Sequence, residues 1–254
     1  MKYEKAKKSD LPALTKLWQA CFGDSVAAIS EFWKVFEHID VFIARENVPV
    51  AMLCALPVTF FDEAGEAHKA SYFYAICTAK SHRGRGISKK LTEFAETNVK
   101  SEFVFLTPAN EELFGFYRKS GYETACCHNT YRVTAAGKAS IQPIRAAVYQ
   151  NLRQMQLYAD FIDYDDRLIA LQTGLYRIET KDAICCAAAE KHGGELLIKE
   201  LLPDVPEAAA ALAAHLGAQS ALVRTEGGKT PFAMAKSLCS LPCPEGVYLG
   251  LAFD

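Results

Sequence analysis

The chain has 254 residues, of which 50% are hydrophobic and 23% are charged. Lysine and arginine total 28 and aspartate and glutamate total 30, so the formal net charge is −2. This composition excludes an intrinsically disordered chain, because it provides enough apolar surface for a core, and it argues against a protein that coats nucleic acid over its whole surface. The length allows one large domain or two small ones.

The amino-terminal residues and the cysteines predict a cytoplasmic location. Residues 1–10 are charged and polar, and no apolar run approaches the roughly 20 residues of a membrane span, so we expect no secretory signal and no membrane partner. The nine cysteines are odd in number, lie mostly in apolar runs and include no C-x-x-C pair. We therefore expect buried thiols in a reducing compartment and no metal site.

Apolar periodicity divides residues 1–135 into elements in the order α-α-β-β-β-α-β-α-β. In chain order they are a helix over 11–22, a helix capped by Asp24–Ser25, strands over 41–44, 50–60 and 71–77, a helix from Ile87, a strand over 103–106, a helix over 110–119, and one or two strands over 122–133. Turn-forming residues separate the strands, as at Asn47–Pro49.

The rest of the chain predicts a second, smaller α+β domain. We place the boundary at residue 135, at the start of the most weakly patterned stretch, which gives domains of residues 1–135 and 136–254. After a helical segment near 144–159 the order is β-β-β-α-β, as in the core of the first half. The elements are strands over 176–180, 183–190 and 195–201, an alanine-rich helix after Pro206, and strands over 221–224 and 247–253. The second half is either a degenerate repeat of the first half or an unrelated α+β unit, and both interpretations stay open.

The strongest chemical feature is the turn from Arg83 to Ser88, RGRGIS, between an apolar strand and a helix. Its glycines allow close approach to a ligand, and the first N–H groups of the helix favour an anion. Between Glu66 and Glu93 there are six basic residues and no acidic one. Neither a Walker A loop nor the Rossmann fingerprint is present. The turn predicts a binding site for a ligand with several phosphates. The alternative is a basic loop that is solvated or contacts RNA. Few aromatic residues interleave with the basic ones, so we expect no nucleic-acid partner.

Two segments resemble the GNAT (Gcn5-related) N-acetyltransferase superfamily. The turn is similar to that family's Q/R-x-x-G-x-G/A loop, in which Arg83 and Gly86 match and Ser88 stands where glycine or alanine is usual. The segment from Asn110 to Tyr122 is similar to the family's asparagine and tyrosine helix with its following glycine-aromatic pair. The element order of the first half also matches that fold.

The resemblance implies an α/β (α+β) GNAT fold, with a mixed central sheet flanked by helices and a smaller GNAT-like second half. It also implies an N-acetyltransferase that uses acetyl-CoA, or a related acyl-CoA, to acylate a primary amine of a small molecule or protein by direct attack in a ternary complex. Tyr117 would protonate the leaving CoA thiolate, and the backbone N–H of Cys77 would stabilise the oxyanion. Dimers are common in the family, so a homodimer is among the expected assemblies.

The same resemblance implies a set of acyl-CoA-binding residues. They are Ile76, Cys77, Thr78, Arg83, Gly84, Arg85, Gly86, Ile87, Ser88, Asn110 and Tyr117. Backbone groups of 76–78 would bind pantetheine, backbone amides of 83–88 would hold the pyrophosphate, and Asn110 would cap its helix and reach pantetheine. A plain N-cap for Asn110 and a core aromatic for Tyr117 are the structural alternatives.

Other interpretations stay open at this point. A non-catalytic acyl-CoA-sensing or protein-binding module with the same fold is the alternative function. The general base is not specified, and the candidates by residue type are Glu31, Asp62, Glu111 and His128. Transfer through an acyl-thiol on Cys77 or Cys127 is disfavoured, because no Cys-His-Asp arrangement is apparent.

Overall fold

The computed structural model describes residues 1–172 and 174–253. The chain divides into two compact units that alternate along the sequence. Unit 1 comprises Met1–Thr59, His68–Glu123 and Met234–Cys243; unit 2 comprises Phe60–Ala67, Thr124–Ala233 and Pro244–Asp254. The division into domains of residues 1–135 and 136–254 stays a prediction.

Within the described residues the chain forms thirteen strands and seven α-helices. In chain order they are β1 (Lys2–Lys5), α1 (Leu11–Phe22), α2 (Val26–Phe32), β2 (Asp40–Arg45), β3 (Pro49–Phe61), β4 (Ala67–Thr78), α3 (Ile87–Asn98), β5 (Phe103–Leu106), α4 (Glu111–Arg118), β6 (Glu123–Thr134), β7 (Ser140–Pro143), α5 (Ala146–Gln154), β8 (Phe161–Asp163), α6 (Asp166–Ile169), β9 (Leu175–Glu179), β10 (Ile184–His192), β11 (Glu195–Leu202), α7 (Pro206–His215), β12 (Ser220–Glu226) and β13 (Thr230–Ser237). The predicted α/β class, with strands in mixed sheet pairing and flanking helices, is confirmed.

Unit 1 is built on strands in the order β1-β2-β3-β4-β5, followed by residues Met234–Ser237 of β13. The β4/β5 pair is parallel, because α3 connects the two strands as a crossover, whereas the β1/β2, β2/β3 and β5/β13 pairs are antiparallel. One apolar cluster joins this sheet to α3 and α4. Its fully or nearly fully buried members include Leu53, Phe73, Leu91, Leu106, Tyr117 and Met234.

Unit 2 repeats part of this connectivity. Its strands run in the order β6-β12-β11-β10-β9-β7. The β9/β10 and β10/β11 pairs are antiparallel and the β11/β12 pair is parallel, with α7 as the crossover. The predicted β-β-β-α-β order of the second half is therefore confirmed, and it corresponds to the run β2-β3-β4-α3-β5 of unit 1.

Five differences from the predicted strands occur: β1, β7, β8 and β13 were not predicted, and the predicted strand over 247–253 does not form. The first element is β1, which was not expected because its four residues, KYEK, carry three charges. The prediction of a strand over 247–253 fails: that segment is buried, but its one bridge joins Tyr248 to Phe161. The last strand is β13, whose proline at position 231 argued against a strand. The apolar residues of 247–253 therefore predicted burial correctly, but they did not predict whether the segment pairs as a strand.

Candidate functional site

The alternation of side chains along β4 is interrupted at Ala75, whose φ of 51° lies in the left-handed region. Before this residue, Phe73 packs in the apolar cluster under α3, and the ring of Tyr74 lies 5.5 Å from that of Trp18 on α1. Strict alternation would then direct Ile76 toward α1, yet Ile76 packs against the cluster under α3. Ala75 therefore acts as a bulge that reverses the facing of the residues that follow it.

The end of β4 also extends past its parallel neighbour. The two strands pair from Ala70 with Phe103 to Phe73 with Leu106, where β5 ends, and β4 continues over residues 74–78. Pro108 follows closely after β5 and cannot donate to a ladder. The bulge and the end of pairing thus fall at the same level of the sheet, next to the predicted pantetheine-binding residues.

The turn after β4 places two glycines ahead of α3. Gly84 has a φ of 76° and Gly86, the N-cap of α3, has a φ of 69°. A Cβ at either position would meet no atom within 4 Å, so the backbone conformation and not crowding requires glycine. No side chain within the described residues caps α3, and its first N–H groups are oriented to bind an anion, as the sequence predicts.

Replacing Gly86 by alanine is expected to lower the free energy of unfolding by about 1–2 kcal/mol, because a side chain is strained at this φ. Gly115, inside α4, is the matched control. It has open space around its Cβ position and no positive φ, so Gly115→Ala should raise the free energy of unfolding by about 0.5–1 kcal/mol. Urea unfolding of both variants measures the two effects, and effects of equal sign would contradict the role given to Gly86.

The basic side chains of the turn have protein partners. The Arg83 Nε donates a hydrogen bond of 3.1 Å to the Thr78 carbonyl oxygen and so closes the turn. Arg85 lies 3.2 Å from a carboxylate oxygen of Glu46, and His82 lies 3.3 Å from the other. The hydrogen bond with His82, followed by that with Arg85, lowers the pKa of the Glu46 carboxyl. The sequence did not reveal this acidic partner, because it comes from the turn after β2.

Tyr117 lies deep in unit 1 and is 6% exposed. It belongs to the same apolar cluster as Ile76 of β4 and Ile87 of α3, so three predicted site residues from three elements come together. Its ring centroid lies 5.1 Å from that of Phe116 and 5.6 Å from that of Tyr122. Burial raises the pKa of Tyr117 to about 12, so the phenol keeps its proton at neutral pH and can act as an acid.

Asn110 caps α4, as predicted. Its Oδ1 accepts a hydrogen bond of 3.2 Å from the Leu113 N–H, and its extended backbone is that of an N-cap residue. The predicted contact between Asn110 and pantetheine stays a prediction.

The thiol of Cys77 faces α1, on the opposite side of β4 from Ile76. On α1, the Cys21 Sγ lies 3.7 Å from the carbonyl oxygen of Thr78, the residue after Cys77. Hydrogen bonds from Cys77 and Arg83 lower the pKa of Cys21 to about 6, against the opposing effect of burial. Sequence reasoning placed Cys21 only on the buried face of the first helix and missed this contact, which depends on the bulge in β4.

Comparison with known families assigns the first half of the chain to a family. Residues 2–125 match the family described as "Acetyltransferase (GNAT) domain". They form a GNAT acetyltransferase domain. The matched range contains β4, the glycine turn and α4 with Tyr117, so it includes every predicted site residue of the chain.

Solved structures share the GNAT fold over most of this chain. A probable N-acyltransferase from Enterococcus faecalis V583 has a TM-score of 0.71 and 14% identity, over 93% of this chain and 72% of that one. A GCN5-related N-acetyltransferase from Anabaena variabilis ATCC 29413 has a TM-score of 0.71 and 17% identity, over 94% and 73%. Eis1 from Mycobacterium abscessus has a TM-score of 0.67 and 12% identity, over 94% and 74%. These likenesses establish the fold alone. No curated protein matches this sequence.

The four candidates for a general base lie in different units, and each has contacts or a position that a purely structural role explains. In unit 1, Glu31 pairs with Lys34 at 2.5 Å, and Glu111 lies in the first turn of α4. In unit 2, Asp62 accepts hydrogen bonds from backbone N–H groups of its own hairpin, and the ring of His128 packs on that of Phe232. These contacts single out none of the four for proton abstraction.

Three further properties concern the described residues as a whole. No group of three or more His, Cys, Asp or Glu side chains in residues 1–172 and 174–253 is arranged to hold a metal ion. In the same residues, every helix is too short or too polar to cross a membrane. None of the nine cysteines, all of which lie within the described residues, forms a disulfide bond.

Proposed function

We propose that this protein is an N-acyltransferase that transfers an acetyl or related acyl group from acyl-CoA to a primary amine by direct attack in a ternary complex. The observation that carries the proposal is the common apolar cluster of Tyr117, Ile76 and Ile87, which brings an acid, the end of β4 and the anion-binding turn together. The proposal includes a cytoplasmic location, which nine cysteines without a disulfide bond favour.

The end of β4 and the turn fit an extended, phosphorylated substrate. Backbone groups of residues 76–78 would bind the pantetheine arm, where β4 has passed the end of β5. The Thr78 Oγ1 supports this assignment, since it is buried and has no hydrogen-bond partner among the described residues. Backbone amides of residues 83–88 would bind the pyrophosphate, with the Ser88 hydroxyl as a further donor.

Tyr117 and Cys77 would carry the chemistry. The Cys77 N–H would donate to the acetyl oxygen as negative charge develops there, an interaction that is strongest in the transition state. The protonated Tyr117 would donate to the leaving thiolate. Burial raises the pKa of Tyr117 to about 12. The same apolar surroundings would also raise the pKa of the CoA thiol, so the pKa values of the proton donor and of the leaving group would stay close to each other. This acid favours an enzyme over a sensor that has only kept the fold.

Unit 2 repeats the crossover but not the phosphate-binding turn. Helix α7 begins at Pro206 after Val205, and proline has no N–H to donate. The connection before it contains no glycine. We therefore propose that acyl-CoA binds to the GNAT domain and not to the corresponding turn of unit 2.

Replacing Ser88 by aspartate tests the phosphate site apart from folding. A carboxylate at the second position of α3 favours the helix by about 0.3–1 kcal/mol but repels a pyrophosphate. We expect the acetyl-CoA dissociation constant, measured by calorimetry, to rise at least about tenfold while the melting temperature holds or rises, since 1.4 kcal/mol of repulsion suffices.

The matched control is Ala147→Asp, at the exposed second position of α5, where the first turn also contains no acidic residue. This variant should gain the same helix stability and bind acetyl-CoA as the wild type does. If Ser88→Asp and the wild type bound acetyl-CoA with equal affinity, the turn would not be part of the acetyl-CoA site.

A further inference from the structure

The turn after β2 brings a carboxylate to the basic segment that leads into α3. The Ala79 N–H donates a hydrogen bond of 2.8 Å to the Val50 carbonyl oxygen, so the start of β3 is bound to the residue that follows β4. Glu46 lies in the turn between β2 and β3 and is therefore held beside that segment. The fold thus places an acidic side chain against a segment whose own sequence, between Glu66 and Glu93, contains none.

Both oxygens of the Glu46 carboxylate face donors of the basic segment. The Arg85 Nη2 lies 3.2 Å from Oε1, and the His82 Nε2 lies 3.3 Å from Oε2. The Ser81 hydroxyl lies 2.8 Å from the Nδ1 of the same ring and helps to orient its Nε2 toward Glu46. Because a carboxylate only accepts hydrogen bonds, the guanidinium and the imidazole Nε2 both act as donors here.

These two donors also suit the oxygens of a phosphate group. A guanidinium binds carboxylate and phosphate with the same fork of N–H groups, and an imidazole N–H donates to either anion. Arg85 stands between Gly84 and Gly86, within the turn whose amides are assigned to the pyrophosphate of acyl-CoA. The side chains of Glu46 and Arg85 are 43% and 53% exposed, so separating them opens none of the buried core.

We propose that Glu46 competes with the pyrophosphate of acyl-CoA for Arg85 and His82, and thereby limits how tightly the turn binds this ligand. The inference rests on the proposed function, because it takes acyl-CoA as the ligand of the turn. On binding, Arg85 and His82 would exchange the carboxylate for phosphate oxygens, and Glu46 would turn to solvent. Part of the attraction between the turn and the ligand is then used to displace Glu46, so removal of its charge should strengthen binding.

A supporting role for the same contact predicts the opposite result. If the ion pair held the turn in its binding conformation, loss of the Glu46 charge would loosen the turn and weaken binding. The sign of the change in affinity therefore distinguishes competition from support. Exposed ion pairs contribute little to stability, so neither role should alter the fold.

Calorimetric titration of Glu46→Gln with acetyl-CoA, at one fixed ionic strength, tests the proposal. The amide keeps the size of the side chain and removes its charge. We expect the dissociation constant to fall about two- to fivefold below that of the wild type, with a nearly unchanged melting temperature. The matched control is Glu37→Gln, which removes the charge of an exposed carboxylate 3.8 Å from Lys8 and should leave the affinity as it is.

A double-mutant cycle with Arg85→Gln separates competition from repulsion at a distance. Arg85→Gln alone should raise the dissociation constant. In that background Glu46→Gln should lower it by a smaller factor than in the wild type, because one of the two contested donors is gone. An equal factor in both backgrounds would mean that the charge acts at a distance. That result, or any loss of affinity in Glu46→Gln, would overturn the proposal.

Titration with inorganic pyrophosphate keeps this result apart from the proposed function. Wild-type protein that fails to bind acetyl-CoA would contradict the proposed function. Tighter binding of pyrophosphate by Glu46→Gln than by the wild type would then still support competition at the turn, whereas equal or absent binding would overturn it. Acetyl-CoA binding that is the same in the wild type and in Glu46→Gln would leave the proposed function standing and remove the role given to Glu46.

Discussion

Tyr117→Phe is expected to lower kcat for acetyl transfer by about 100- to 1,000-fold and to leave the acetyl-CoA dissociation constant within about twofold of the wild type. The substitution removes only the hydroxyl, so the packing of the ring in the apolar cluster is kept. In the proposed mechanism the Tyr117 hydroxyl would act on the leaving thiolate and not on bound acetyl-CoA, so we expect its loss to lower kcat and not the affinity for acetyl-CoA. Initial-rate kinetics with calorimetry of acetyl-CoA binding measure both quantities.

Tyr122→Phe is the matched control in the same motif. The Tyr122 hydroxyl donates a hydrogen bond of 2.9 Å to Glu96, so its removal should cost about 1 kcal/mol of stability with little effect on kcat. The wild-type pH profile supplies a second check: Tyr117 must hold its proton to act, and with a pKa of about 12 it should cause no loss of kcat on the alkaline side up to about pH 10. A wild-type kcat in Tyr117→Phe would exclude the residue from the mechanism.

A fragment of residues 1–135 is expected not to fold into a stable, active domain. Unit 1 includes residues of β13, where Met234 to Ser237 pair with Leu106 to Phe103 of β5. Met234 is fully buried in the cluster that contains Tyr117, and Lys236 pairs with Glu96 at 2.6 Å. The fragment would lose these contacts and expose the edge of β5, which favours aggregation.

The measurement is thermal unfolding of the fragment beside the full chain, followed by acetyl-CoA titration of each. We expect a cooperative transition and binding for the full chain and neither for the fragment. Met234→Ala in the full chain gives the intermediate case, with an expected loss of about 2–5 kcal/mol of stability. A soluble fragment with a cooperative transition and wild-type affinity would show that β13 is dispensable.

Local sequence features predicted much of the site. Glycines between an apolar strand and a helix located the turn, and the capping asparagine and apolar spacing located α4 with Tyr117. These features depend on neighbours close in the chain, and local propensity and capping chemistry suffice to specify them.

The features that the sequence did not predict depend on long-range contacts or on backbone conformation. Ala75 adopts a positive φ without the glycine that would have signalled it, so the change of face in β4 was not visible. The pairing of Glu46 with Arg85 and the contact of the Cys21 thiol with the Thr78 carbonyl oxygen join separate elements. Strand β13 completes the sheet of unit 1 from the other end of the chain, where no local pattern reports its partner.

The most direct test of acyl transfer is steady-state CoA release by the full-length protein with acetyl-CoA and a panel of primary amines, with each product identified by mass. The proposed function predicts saturable, amine-dependent release with at least one amine, an N-acetylated product, and intersecting initial-rate lines, which indicate a ternary complex. Binding of acetyl-CoA without turnover on any amine would favour the sensor instead. A protein that neither binds acetyl-CoA nor releases CoA would contradict both the proposed activity and the proposed site.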